Sequence, residues 1–334
     1  MPKVSVIIPN YNHAQYLPLR IESVLNQTFQ DFELILMDDC STDNSQEIIQ
    51  KYAQHDKRIR VILNETNSGS TFKQWNKGIR EAICTYIWLA ESDDYAEASL
   101  LEQLVFLLEN HSNVGIAYCQ SNNVNQSNEV LGTWVNQMDD LTGIGVDVFL
   151  WKNDFVKKGS YLVANYMIAK NIIPNASAAL FRRKLYEQVG YADESFRLNG
   201  DWLMWVKMLL ISDLAYIAQP LNSFRTHTYN LRTTVRKEGI ALEEWSKIIY
   251  YIGQHVKVNK KTLDYTLYWF VQQWAEAISN GDIPPKRSVI IFKNLYPIGT
   301  KLWQYLIRFA ILKMISKFRF TLGALRKSFK IYIQ

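Results

Sequence analysis

Short apolar runs alternate with amphipathic stretches through the first 120 residues. Val4–Ile8, Phe32–Met37, Ile59–Leu63, Tyr86–Ala90 and Val114–Cys119 have the length and the β-favouring side chains of strands. Between them, Leu17, Ile21, Val24 and Leu25 recur at helical spacing, as do Ile48, Ile49 and Tyr52, then Trp75, Ile79 and Ala82, and finally the run Leu100–Leu108. Pro9 closes the first run, and Cys40-Ser41-Thr42-Asp43 supplies a turn and helix cap after the second. Strands and helices alternating in this way predict an α/β fold with a doubly wound, mostly parallel sheet and right-handed crossovers. Tyr86–Ala90 has no polar position at all, as expected of a strand covered on both faces.

That topology brings the ends of the first, second and fourth strands to one edge, so Tyr11, Asp39 and Asp93 converge although far apart in sequence. Glu91, Ser92, Asp93 and Asp94 follow the fourth strand directly. Three carboxylates at the ligand-binding edge of an open sheet point to a divalent cation, Mg²⁺ or Mn²⁺, and to the phosphates it carries. A solvated acidic turn is the competing reading. Gly69 is the only glycine before Gly78, so neither a G-x-G-x-x-G turn nor a P-loop can form here. This disfavours a dinucleotide-dependent oxidoreductase. A nucleotide site built from carboxylates needs a metal to reconcile acids with phosphates.

Composition adds to this picture in two places. With 334 residues, 48% hydrophobic and 21% charged, the chain is long enough for one large domain plus an appendage. Of its 37 basic and 32 acidic residues, eleven Lys or Arg and no acid fall between Ile283 and Gln334, so a mildly acidic body precedes a strongly basic tail. Cys40, Cys84 and Cys119 form no C-x-x-C pair, which argues for a reducing compartment and against both a disulfide framework and a cysteine zinc site. The first strand begins at Val4 without a basic and apolar leader, so no signal peptide is expected and a cytoplasmic location is. Residues 120–170 say least. Asn122, Asn123, Asn125 and Asn128 suggest a loop, while Trp134 and Trp151 read as core.

V-S-V-I-I-P-N-Y-N at Val4–Asn12, S-V-L-N-Q-T-F-Q-D-F-E-L at Ser23–Leu34, D-D-C-S-T-D at Asp38–Asp43 and N-K-G-I at Asn76–Ile79 resemble the family-two inverting glycosyltransferases. The resemblance is dense over residues 3–120 and more diffuse to about 230. It implies a GT-A-type domain over residues 1–230, with a nucleotide-binding half to 120 and an acceptor half to 230, followed by a helical region with a basic amphipathic tail over 231–334. It also implies transfer of a sugar from a nucleotide diphosphate to a glycan or lipid-linked acceptor in surface-polysaccharide assembly.

The resemblance carries roles onto matching positions. Pro9, Tyr11 and Asn12 fall in the loop that wraps the base, and Asp39 is where a carboxylate accepts a hydrogen bond from it. Asp93 and Asp94 match the motif holding the ribose and the cation, Glu91 stands where many members carry Asp, and Lys73 lies near an Arg position that faces the diphosphate. Asp201, at the start of the helix marked by Trp202, Trp205, Val206 and Leu209, matches the general base, against the alternative that it is a helix cap. Phe224-Arg225-Thr226-His227 resembles an aromatic-Arg-x-His element, making Arg225 a diphosphate contact and His227 a metal or acceptor contact. Asn175–Arg183 matches the segment that returns to the sheet.

Other readings compete. A nucleotidyltransferase would show a glycine-rich basic loop after the first strand, and Asn10–His13 is not one. A carbohydrate- or nucleotide-sugar-binding protein on a degenerate transferase fold fits poorly with Asp39, Asp93, Asp94 and Asp201 all being present. Nucleic-acid binding would rest on the tail alone. There, Trp303, Ile307, Ile311, Met314, Phe318, Leu322, Leu325 and Phe329 form an apolar stripe beside Lys301, Arg308, Arg319, Arg326 and Lys330. Charges interrupt it too often for a bilayer span, so it predicts an interfacial helix on an anionic membrane surface, or an amphipathic helix packed on protein.

Overall fold

The computed structural model describes residues 1–134, 147–226, 238–299, 302 and 304–307. Strands β1 (Val4–Asn10), β2 (Phe32–Asp38), β3 (Ile59–Leu63) and β4 (Tyr86–Leu89) are joined by helices α1 (Leu17–Leu25), α2 (Ser45–His55) and α3 (Thr71–Glu81). They lie in the spatial order β3-β2-β1-β4, all parallel. Every residue of β1, β2 and β4 is buried, the polar Ser5, Asn10, Glu33 and Asp38 included, as mainly apolar strands covered on both faces require. Gly78 of α3 lets that helix lie flat on β1 and β2, since a Cβ there would meet Ile7 Cγ2 and Met37 Sδ at 2.7 Å.

The second half departs from a uniform parallel sheet. After the two-residue β5 (Tyr95–Ala96) and α4 (Leu100–Asn110), β6 (Val114–Val124) does not pair with β4. β9 (Ala179–Arg182) inserts between them, antiparallel to both, as the segment expected to return to the sheet. β6 continues through Asn122 and Asn123, which are strand residues paired with Thr133 and Gly132 of β7 (Val130–Thr133), and only Asn125 and Asn128 lie in the connecting turn. β8 (Phe155–Lys158) and β10 (Asp213–Arg225) complete the sheet, and β10 pairs with both β6 and β5. Trp134 and Trp151 are buried in the main core as expected.

The short helices α5 (Gly159–Leu162) and α6 (Arg183–Gln188) precede α7 (Gly200–Leu209), which covers one face of the sheet. The C-terminal helices α8 (Ile240–His255), α9 (Lys260–Asn280) and α10 (Pro285–Leu295) share its core. Trp202, Trp205, Ile248, Ile252, Phe270, Ile291 and Leu295 belong to one hydrophobic cluster. Among the described residues no helix is long and apolar enough to cross a membrane. The tail stripe beyond Ile307 lies outside the described residues.

Candidate active site

Two backbone reversals close the sheet edge. Asn12 and Cys40 take left-handed φ values of 56° and 62° in the loops after β1 and β2. Asn12 then zips the loops together: its amide N–H donates to Ser41 Oγ (2.9 Å), and its Oδ1 accepts from Thr42 N–H (2.8 Å). Asp38 is internal, accepting from Asn10 Nδ2 (2.9 Å), Ser41 Oγ (2.6 Å), Ser41 N–H (2.9 Å) and Gln46 Nε2 (2.9 Å). Pro9 is buried in β1 opposite Met37, whereas Tyr11 is 46% exposed on the rim.

Asp39 faces the opposite way. Its Oδ1 accepts from Asn64 Nδ2 (2.6 Å), Ser68 N–H (2.9 Å) and Gln74 Nε2 (2.8 Å), and its Oδ2 from Ser68 Oγ (2.7 Å). A carboxylate has about four acceptor positions, so the capacity left for a ligand N–H is on Oδ2. Asn64 and Ser68 lie in the loop before α3 and Gln74 in α3 itself, whose first turn is capped by Ser70. Lys73 is exposed in that turn, its Nζ 3.5 Å from Ser68 O.

The acidic motif after β4 is clamped from three sides. β5 pairs Tyr95 with Ser223 and Ala96 with Asn222, which draws Arg225 beside the carboxylates. Arg225 is 2% exposed. Its N–H donates to Asp94 Oδ1 (2.9 Å), Nε to Asp93 O (2.7 Å), Nη1 to Asn125 O (2.7 Å) and Nη2 to Asn128 Oδ1 (2.6 Å), and its guanidinium lies 4.3 Å from the Tyr16 ring centroid. Arg20 of α1 is fully buried on the other side. Its Nε donates to Glu91 O (2.8 Å), Nη2 lies 4.0 Å from Asp94 Oδ2, and the guanidinium lies over Trp88. Burial pulls the Arg20 pKa down to about 10 against the opposing pull of the nearby acids.

These contacts sort the three acids. Asp94 is 1% exposed and turned inward toward Arg20 and Arg225, and burial, with the charge of Asp93, raises its pKa. Glu91 accepts from Trp75 Nε1 (2.7 Å), and burial followed by the Asp93 charge pushes its pKa up to about 8. Asp93 and Glu91 are both half-buried. Glu91, bonded to Trp75, and Asp94, turned toward Arg20 and Arg225, already have protein partners. Among the described residues no group of three or more His, Cys, Asp or Glu is gathered around a common point. A half-buried carboxylate at this edge suits a cation that takes its remaining ligands from substrate phosphates and water.

Asp201 lies in the first turn of α7, two residues inside the cap position, which Asn199 occupies without a side-chain capping bond. Its Oδ2 accepts from Asn171 Nδ2 (3.0 Å). The turn before it is held by Glu244 of α8, a buried carboxylate that accepts from the N–H groups of Arg197 (2.5 Å), Leu198 (3.1 Å) and Asn199 (2.8 Å). Gly200 admits the ring of Phe72 so closely that a Cβ would sit 2.6 Å from it. That contact seats α7 against α3, whose next residues include Gln74 and Trp75, the partners of Asp39 and Glu91. His227 lies outside the described residues.

Sequence reasoning missed Arg20, Gln74, Asn171 and Glu244. For Arg20 a signal exists: it sits three residues after Leu17 and four before Val24, on the buried stripe of its helix.

The family model for glycosyl transferase family 2 matches residues 5–190. An uncharacterized glycosyltransferase of Haemophilus influenzae is 45% identical over 112 residues, 33% of this chain and 44% of that protein. The Bacillus subtilis putative teichuronic acid biosynthesis glycosyltransferase TuaG is 41% identical over 109 residues, 32% of this chain and 43% of that one. The chain thus matches less than half the length of these relatives. The crystal structure of Staphylococcus aureus TarS 1–349 with UDP-GlcNAc superposes with a TM-score of 0.61 at 18% identity, covering 92% of this chain and 88% of that one. A mannosyltransferase of Pyrobaculum calidifontis solved with GDP-Man and Mn²⁺ gives 0.56 at 15% identity, covering 95% and 88%.

Proposed function

The chain belongs to glycosyltransferase family 2, and from that premise we propose that it transfers a sugar, with inversion, from a nucleotide diphosphate to a glycan or lipid-linked acceptor in surface-polysaccharide assembly. The observation that carries this reading is the convergence at one sheet edge of the zipped Tyr11–Asn12 loop, Asp39 and the motif clamped between Arg20 and Arg225, with Gly200, the residue before Asp201, packed on Phe72 of α3. The names of the relatives, which include biosynthesis of teichuronic acid and a poly(ribitol-phosphate) N-acetylglucosaminyltransferase, support the polysaccharide context.

In this reading the base lies against Tyr11 and donates to Asp39 Oδ2. Pro9 and Asn12 shape the loop, and Lys73 reaches the diphosphate from its exposed position. Arg20 and Arg225 hold the motif from behind, so Arg225 acts as a positioning residue in place of a direct diphosphate contact. A divalent cation would be held by Asp93 and the diphosphate, and would supply charge neutralisation for the leaving group. Asp201 takes the proton of the acceptor hydroxyl while its oxygen bonds to the anomeric carbon. The bond from that carbon to the β-phosphate oxygen breaks, and the nucleotide diphosphate leaves with the electron pair. The acid-free basic stretch from Ile283 supports a peripheral position at an anionic membrane surface, where lipid-linked acceptors reside.

Proton NMR of slow donor hydrolysis tests the reading, with water standing in for the acceptor. UDP- and GDP-sugars of α configuration are expected to yield the β anomer first, and Asp201→Asn to suppress it. Initial release of the α anomer, or equal release by Asp201→Asn, would overturn inversion or the assigned base.

A further inference from the structure

A second cleft opens where α7 meets the C-terminal helices. It encloses about 510 Å³ and is walled by the indoles of Trp202 and Trp245, whose ring centres are 6.2 Å apart at 32°. Gln273, Glu276 and Asn280 of α9, with Asp282 just beyond it, line its rim, and Asn199 stands at the α7 end. Among the described residues the side chains of Gln273, Glu276, Asn280 and Asp282 make no hydrogen bond or ion pair, so their donors and acceptors face the cleft or solvent. Among the described residues no lysine or arginine lines the cleft. The family match ends at residue 190, before every one of these residues.

The chemistry of this lining selects its ligand. The carboxylates of Glu276 and Asp282 disfavour phosphate and carboxylate groups, and with them the nucleotide and anionic polymers. Aromatic faces accept the C–H face of a pyranose, and amides with carboxylates satisfy its hydroxyls, so the mixture fits a neutral, polyhydroxylated ligand. The volume is that of an ordinary small-ligand site. Asn199 and Trp202 flank Gly200-Asp201 in sequence, which sets the cleft beside the first turn of α7.

We infer that this cleft binds neutral sugar units of the acceptor and leads its terminal hydroxyl toward Asp201. The inference rests on the assignment of Asp201 as the base for its direction, but the binding itself does not. Glu244 gains a positioning role here. It comes from the same helix as Trp245 and fixes the turn that carries Asn199.

Saturation-transfer NMR on the whole chain, with methyl glycosides of glucose, galactose, mannose, N-acetylglucosamine and N-acetylgalactosamine and with ribitol 5-phosphate, tests it. At least one neutral glycoside is expected to receive saturation, and more strongly than ribitol 5-phosphate. Gln273 and Glu276 are exposed. Gln273→Trp with Glu276→Arg should therefore leave the fold intact and weaken glycoside binding about tenfold or more, equivalent to about 1.4 kcal/mol, without altering UDP binding. Saturation in no neutral glycoside, preference for ribitol 5-phosphate, or an unchanged signal in the double variant would overturn it. Glycoside binding that persists beside a fully active Asp201→Asn variant would keep the cleft and reject the base, so the two failures are distinct.

Discussion

Replacing Arg225 with methionine separates scaffold from ligand contact. Methionine keeps most of the apolar volume, so the main loss is of donors: Asp93 O, Asn125 O and Asn128 Oδ1 lose partners at 2.7, 2.7 and 2.6 Å. A buried acceptor left without a donor costs about 1–3 kcal/mol, and breaking a buried charged network by one member typically costs about 3–5 kcal/mol. The expected loss is therefore about 3–5 kcal/mol, below the sum over the three acceptors because the Asn125–Asn128 turn relaxes toward solvent. Equilibrium urea unfolding followed by tryptophan fluorescence measures it, with Lys73→Met as the exposed comparison, expected within about 0.5 kcal/mol of the parent. UDP affinity, measured by calorimetry well below the unfolding midpoint, should weaken in Arg225→Met because Asp93 is no longer held. An Arg225→Met protein with the parent's midpoint and a collapsed UDP affinity would refute the reasoning. It would return Arg225 to direct contact with the diphosphate.

Three further outcomes are expected. Asp201→Asn should retain UDP binding and lose about 10²–10⁴ in transfer rate, with little change in melting temperature because Asn199 occupies the cap position and Glu244 holds the preceding turn. Burial raises the pKa of Glu33, but donors from Ser5, Ile83 N–H and Arg60 outweigh it and hold the carboxyl below its usual 4.5. Its stabilisation is therefore present above the unfolded value and lost as pH falls through the lower folded value, so Glu33→Gln should flatten the acid limb of a stability profile. Intact protein should float with anionic vesicles at low salt, whereas a chain ending at Ile307 should not, and equal flotation would remove the membrane role. The cut falls there because Ile291 and Leu295 of α10 are fully buried in the core and must be kept.

β1, β2 and β4 were legible because burial on both faces leaves them mainly apolar, with Ser5, Asn10, Glu33 and Asp38 as buried polar exceptions, while β3 is only partly covered; the edge they form follows from their parallel order. β9 was harder to read. Four residues, Ala179–Arg182, with no hairpin turn give no clue to an antiparallel insertion between β4 and β6. Asn122 and Asn123 read as loop residues because amides are rare in strands, yet here pairing with β7 and β10 accommodates them. The carboxylates of the site were visible as a motif, but their division of labour was not. That Asp94 turns inward and Glu91 is held by Trp75 depends on Arg20, Trp75 and Arg225, which are 71, 16 and 132 or so positions away and are brought together only by the sheet. Glu244 was unreadable for the same reason: nothing local marks a glutamate on an amphipathic helix as the partner of three backbone amides 45 to 47 residues earlier.

Thermal unfolding in the presence of UDP-, GDP- and dTDP-sugars, with and without Mn²⁺, tests the central claim most directly. One nucleotide class is expected to raise the melting temperature, by a stabilisation of about 2.7 kcal/mol at a hundredfold excess over its Kd, and more strongly with Mn²⁺. Asp39→Ala should abolish that protection with or without the ion, and Asp93→Ala should abolish the Mn²⁺ enhancement. Protection by none of these donors, or protection unchanged in both variants, would contradict a nucleotide-sugar site at this edge of the sheet.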